Sequence, residues 1–266
     1  MIRKTRELNY KYICIIIPAI IAILNILDTY NFLYSIGLKD SNISFQDVVS
    51  YTIYGLNTKG GTNFIDVLKF SIPHLLIIFL SGIYIKAMFE DGKKYINLIR
   101  YKSYKLWARK NILNLFLSGI LIFTLYYVLL IIVGLIYIKN HVGITKVFLQ
   151  LNPNCDYSIS FYKIILLQYL ISIFLILTLI SIQLLVAILL NNTVWSFMCV
   201  TLVLLVFSFL GKYNIYNPFM LSKHNFIDSM FRISPFETVA SNIIIIILLY
   251  LSIIKLIKSV VRRDKI

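Results

Sequence analysis

From Ile164 to Leu190 the chain carries no charged residue, and most positions are Ile, Leu, Val, Phe or Ala. A helix needs about 20 residues to cross a hydrocarbon core of about 30 Å, and this stretch exceeds that length. Helix is also the fold such a run must take in lipid, where every backbone polar group has to be satisfied within the segment. The pattern recurs at about 12–33, 70–89, 112–138, 194–210 and 239–257. A mean hydropathy of +0.84, with 59% hydrophobic and 14% charged residues, excludes an ordinary soluble domain. The expected fold is all-α: a polytopic membrane protein of six transmembrane helices forming one domain over 1–266. The first run resembles a signal peptide. It lacks a small-residue cleavage pattern and is followed by Asn25 and Asp28, so it reads as a retained span with those two residues at the interface.

The connections differ in kind. Residues 34–69 form the longest polar segment, where apolar spacing predicts a short amphipathic helix over Phe45–Tyr54 and Lys59-Gly60-Gly61 predicts a turn. The run Gly55–Thr62 resembles a phosphate loop, but no Lys follows its second glycine and no strand precedes it, which excludes a nucleotide site. Asn191-Asn192-Thr193 is the sole break between the fourth and fifth apolar runs, which predicts a tight antiparallel hairpin. Its two arms either cross the membrane fully or form a re-entrant pair.

Placing both termini in the cytoplasm puts most of the 26 Lys and Arg residues on the inner side, as the positive-inside rule requires. The net charge of +15 is therefore accounted for by anionic lipid and topology, and no nucleic-acid partner is implied. The densest positive stretch, Lys86–Lys110, lies between the second and third runs. Read as a helix from about Lys94, it puts Tyr95, Ile96, Ile99, Leu106 and Trp107 on one broad face, with Lys94, Tyr101, Tyr104 and Lys105 opposite. A basic helix of this kind, within a cytoplasmic segment over 90–111, either docks a partner at the membrane surface or serves only to fix topology.

The apolar runs hold little chemistry. No His-Glu-x-x-His, Gly-x-Ser-x-Gly or Cys/His cluster occurs, and the expectation is a protein without catalytic residues or cofactors of its own. Cys14, Cys155 and Cys199 are scattered and odd in number, so they imply neither a disulfide framework nor a metal site. His74, beside Pro73, reads as an interfacial residue. The span centres are almost free of carboxylates, which disfavours an ion-driven carrier. Gln168 and Gln183 remain as polar residues in the fourth run, either bonding another helix or lining a substrate route.

With six spans, termini inside and a basic segment after the second, the chain resembles the permease subunits of type-2 ABC exporters. The likeness is to the small ones of bacteriocin, lantibiotic and peptide-antibiotic export or immunity systems. The residues that carry the resemblance are Ile99-Arg100-Tyr101-Lys102-Ser103, Leu106-Trp107 and Lys110. It implies that this segment is a coupling helix contacting an ATPase, with Arg100, Ser103, Trp107 and Lys110 in that role and Tyr95, Ile99 and Lys105 beside them. It further implies a separate ABC ATPase subunit that binds ATP, a dimer with itself or a related permease, and a bacterial cell-membrane location. The loop at 211–236 resembles the outer re-entrant segment of such permeases. A different class, a non-transporting immunity or sensor scaffold that binds a toxin through its outer loops, fits the same composition.

Overall fold

The computed structural model describes residues 2–35, 43–53, 64–89, 103–139, 161–210 and 235–263. Among them the regular structure is entirely helical. In chain order the helices are α1 (Ile2–Ser35), α2 (Phe45–Ile53), α3 (Phe64–Phe89), α4 (Tyr104–Tyr137), α5 (Phe161–Leu190), α6 (Thr193–Leu210) and α7 (Pro235–Arg263). Five of them, α1, α3, α4, α5 and α7, are long and apolar enough to cross a membrane, and α6 adds a shorter apolar stretch, Thr193–Val206. Several apolar helices of this length are what a multi-pass membrane protein requires.

Helix α5 is the axis of the bundle. It packs against α7, α6, α3, α4 and α2, which is why its sequence is apolar on every side. Helix α4 is the second hub and contacts α1, α3, α5, α7 and α2. The two hubs approach closely at Gly119, where a Cβ would lie 2.5 Å from Ile180 Cδ1. Large apolar side chains on the outer faces stay exposed, among them Leu117, Leu121, Leu202, Ile247 and Leu251. In a bilayer these are the lipid-facing positions.

The α5–α6 hairpin forms as its sequence requires. Asn191 takes the left-handed conformation, with φ of 49°, that ends a helix. Asn192 then caps α6, its Oδ1 accepting from the backbone N–H groups of Val194 at 2.8 Å and Trp195 at 3.2 Å.

Helix α2 forms where the spacing predicts it, with a reciprocal capping box. Ser44 N–H donates to Asp47 Oδ2 and Asp47 N–H donates to Ser44 Oγ, both at 3.1 Å. It does not float on the surface: Val48 and Val49 are fully buried. Phe45 packs on Phe161 with ring centroids 5.8 Å apart. Gly134 admits the helix, because a Cβ there would sit 2.9 Å from Val49 Cγ2. The short helix therefore wedges into the end of the bundle where α1 and α4 finish and α3 and α5 begin.

Helix boundaries differ from the apolar runs. Helix α3 begins at Phe64 and not near 70, α4 at Tyr104 and not near 112, and α1 continues to Ser35. The 34 residues of α4 span about 51 Å, well beyond a core of about 30 Å. Hydropathy marks the apolar crossing alone, whereas the helix continues into the polar flanks. The expected turns at 59–61 and Asn152–Asn154, and the loop at 211–234, lie outside the described residues.

Candidate functional site

Two places concentrate polar side chains: the cationic start of α4 and a cavity near the opposite end of the bundle. At the first, Ser103 is the N-cap, extended at φ −147° and ψ 127°, with no side-chain capping bond. Its carbonyl accepts from Trp107 N–H at 3.1 Å. Lys105, Leu106, Arg109 and Lys110 are exposed, whereas Trp107 and Ala108 are buried. Trp107 is only 1% exposed, and its ring meets Phe89 edge-on with centroids 6.1 Å apart. Of the apolar face expected for this segment, Trp107 is thus used within the chain to hold the end of α3 against the start of α4, whereas Leu106 faces outward. Residues 104–111 belong to α4 itself, not to a separate surface helix. Tyr95, Ile99 and Arg100 lie outside the described residues.

The cavity has a volume of about 50 Å³. That is room for a small group of waters. Five helices line it: Asn25 from α1, Thr52 from α2, Pro73 and His74 from α3, Phe123, Tyr126, Tyr127 and Leu130 from α4, and Gln168 and Ser172 from α5. The four long helices reach it about ten residues from the α2 end of the bundle, a depth of about 15 Å along the helices, and α2 closes it from that end with Thr52. That shared depth follows from the way the ends meet, for Tyr30 and Tyr137 contact edge-on at 5.2 Å.

Hydrogen bonds fix the walls. Asn25 Nδ2 donates to the Tyr126 hydroxyl oxygen at 2.8 Å. Thr52 Oγ1 lies 2.9 Å from Thr29 Oγ1 and 2.8 Å from the Val48 carbonyl. The Tyr127 hydroxyl donates to the Ile165 carbonyl at 3.0 Å, and Thr124 and Tyr169 share a bond of 2.7 Å. Ser172 Oγ donates to the Gln168 carbonyl at 2.8 Å. Pro73 leaves the α3 ladder one donor short at this level. The side-chain amide of Gln168, in a residue only 3% exposed, has no hydrogen-bond partner among the described residues.

Gln183 has the opposite environment. Its Nε2 donates to the Ile78 carbonyl of α3 at 2.9 Å. Its Oε1 accepts from Ser81 Oγ, whose single proton is shared with the Ile78 carbonyl at 2.8 Å. Gly82 makes the room, since a Cβ there would be 2.9 Å from Gln183 Nε2. A second node joins α5 to α7, where Thr178 Oγ1 meets Asn242 Oδ1 at 2.9 Å. The two glutamines therefore divide between the two roles open to them: Gln183 ties helices together and Gln168 faces the cavity.

Asn25 and His74, expected at the interface, both face the cavity between the helices, Asn25 half-buried and His74 buried. His74 is 4% exposed and its ring is 6.0 Å from Phe123. Helix α3 starts at Phe64, which sets His74 well inside it, and Asn25 is turned toward α4, where the Tyr126 hydroxyl accepts its bond. The signal available in the sequence was the spacing of Asn25 and Thr29, one turn apart on one face of α1 and both bonded inward. Among the described residues no cluster of His, Cys, Asp or Glu is arranged to hold a metal ion. Comparison with protein-family models, with curated proteins and with solved structures finds no match.

Proposed function

We propose that this chain is the membrane-spanning permease subunit of an ATP-driven exporter, working with a separate ABC ATPase. In this reading α6 is the sixth span, both termini are cytoplasmic, and the protein works as a dimer with itself or a related permease. The transported molecule is a hydrophobic or amphipathic peptide expelled from the membrane.

The observation that carries the reading is the continuity of α4. One helix runs from the exposed cations Lys105, Arg109 and Lys110 through the close approach at Gly119 to the α2 wedge at Gly134. Trp107 clamps its start to α3. A force applied by an ATPase at the cationic end would act on the helix hubs as a unit, because a packed core is not continuously deformable. The ATPase itself would contact charge, not Trp107.

The test is affinity purification from the native genomic cassette in mild detergent. The expected result is an ATPase in roughly equal amount, lost when Arg100, Lys105 and Arg109 are changed together to Glu. These positions are chosen over Trp107→Ala, which removes a buried indole at a cost of about 3–5 kcal/mol and would confuse misfolding with undocking. A stable, clean preparation without ATPase refutes the permease reading and favours the immunity scaffold.

A further inference from the structure

We propose that the cavity between α1, α2, α3, α4 and α5 is a binding pocket for the uncharged, hydrogen-bonding head of a membrane amphiphile. The head is an alcohol or a carboxamide carried on an acyl or alkyl chain. The proposal goes beyond the permease reading and does not depend on an ATPase.

The principal observation is Gln168. A buried amide in a helix bundle that faces lipid has no bulk water to bond, so it finds a protein partner, an enclosed water or the polar head of a ligand. Gln183, on the same helix, finds two groups on α3. Gln168 has none among the described residues, though only 3% of it is exposed, and it lines the cavity. Two further groups there retain unused capacity. Asn25 spends its Nδ2 on Tyr126, which leaves Asn25 Oδ1 as an acceptor and the Tyr126 hydroxyl proton as a donor. A ligand head that both donates and accepts matches this set.

The rest of the wall settles charge and shape. Among the described residues no Asp, Glu, Lys or Arg lines the cavity, and only His74 could offer an ionised head a counter-charge, at the cost of burying both charges. Phe123 and Leu130 supply apolar surface beside the polar groups, as sites for amphipathic ligands do. The volume of about 50 Å³ admits a head of a few heavy atoms and excludes a folded peptide. Helix α1 packs mainly on α4 and only slightly on α3, so the α1–α3 seam beside the cavity is loosely packed.

The experiment uses the full chain in phosphatidylcholine nanodiscs with no ATPase present. The probe is a 1-monoacylglycerol carrying a diazirine beside the glycerol ester, with labelled peptides mapped by mass spectrometry. Saturable labelling is expected at 123–130 and 168–172. Unlabelled monoacylglycerol should compete, whereas a fatty acid or an alkyl trimethylammonium of equal chain length should not. Gln168→Leu should lower the saturable labelling about tenfold while leaving the thermal midpoint unchanged or raised. Non-saturable labelling confined to lipid-facing positions such as Leu117 and Leu121 would mean that the cavity holds water only, and would overturn the proposal. Equal competition by the charged amphiphiles, or undiminished labelling of Gln168→Leu, would also overturn it. The competition series on the unmutated protein decides the matter should the variant fail to insert. Because no ATPase is present, this result and the co-purification result succeed or fail separately.

Discussion

Gln183→Met and Gln168→Met are the same chemical change on one helix, and the structure assigns them opposite consequences. Methionine keeps the unbranched chain, so it still passes Gly82, where a Cβ would lie 2.9 Å from the amide nitrogen. At position 183 the change removes two interhelical bonds, to the Ile78 carbonyl and from Ser81 Oγ. Such bonds between membrane helices average about 0.6 kcal/mol and reach about 1.7. No group is orphaned, because Ser81 keeps its bond to the Ile78 carbonyl and that carbonyl keeps a partner. The cost is therefore about 1–2 kcal/mol, short of the larger penalty for a stranded polar atom. At position 168 no bond is lost among the described residues, and the change should be neutral or stabilising. The assay is reversible unfolding in mixed SDS and non-ionic micelles, with a double-mutant cycle pairing Gln183→Met with Ser81→Ala. Coupling of about half a kcal/mol or more is expected. Equal costs at the two positions, or no coupling to Ser81, would refute the division of roles.

Gly119→Ala should destabilise by about 1 kcal/mol, because the new Cβ meets Ile180 Cδ1 at 2.5 Å and the end of that side chain must turn away. Trimming that methyl in Gly119→Ala/Ile180→Val should recover most of the loss in the same unfolding assay, and additive costs would exclude the contact. Asn191→Ala should cost about 1 kcal/mol and Asn191→Gly nothing, since φ is 49° there. Equal melting points for the two variants would contradict the left-handed cap. Cys199 is exposed on α6. In a Cys14→Ser/Cys155→Ser background it should resist the charged reagents MTSES and MTSET in intact membranes and react after detergent solubilisation. Ready reaction in intact membranes would remove α6 from the lipid and leave five spans.

What the sequence made legible follows from what each signal measures. An apolar run as long as Ile164–Leu190 admits few fates but a bilayer-crossing or deeply buried helix, so the main helices could be placed from composition alone. Their ends could not, because hydropathy reports where lipid would touch the chain and says nothing of a helix that continues past it. The early start of α3 is what carries His74 into the bundle, and a partner on α4 is what turns Asn25 inward. Helix α2 was legible through its spacing and Asn191-Asn192 through its turn chemistry, both local properties. The roles of Gln168 and Gln183 were not, because they are set by the presence or absence of an α3 partner more than 80 residues away in sequence.

Trp107 shows the same limit. The periodicity that assigns it to an apolar face is sound, since the residue is buried. The pattern does not name the surface that covers it. In the structure that surface is Phe89 of the same chain, so the indole is already occupied before any partner arrives. A docking face at this end must then be built from the groups left outside, Lys105, Arg109 and Lys110. Cations exposed at a membrane surface bind through long-range attraction that salt screens over about 8 Å at physiological ionic strength. An ATPase held there should be released progressively by salt, whereas one held by apolar burial of an indole should not, and that distinction separates the two ways of reading the basic segment.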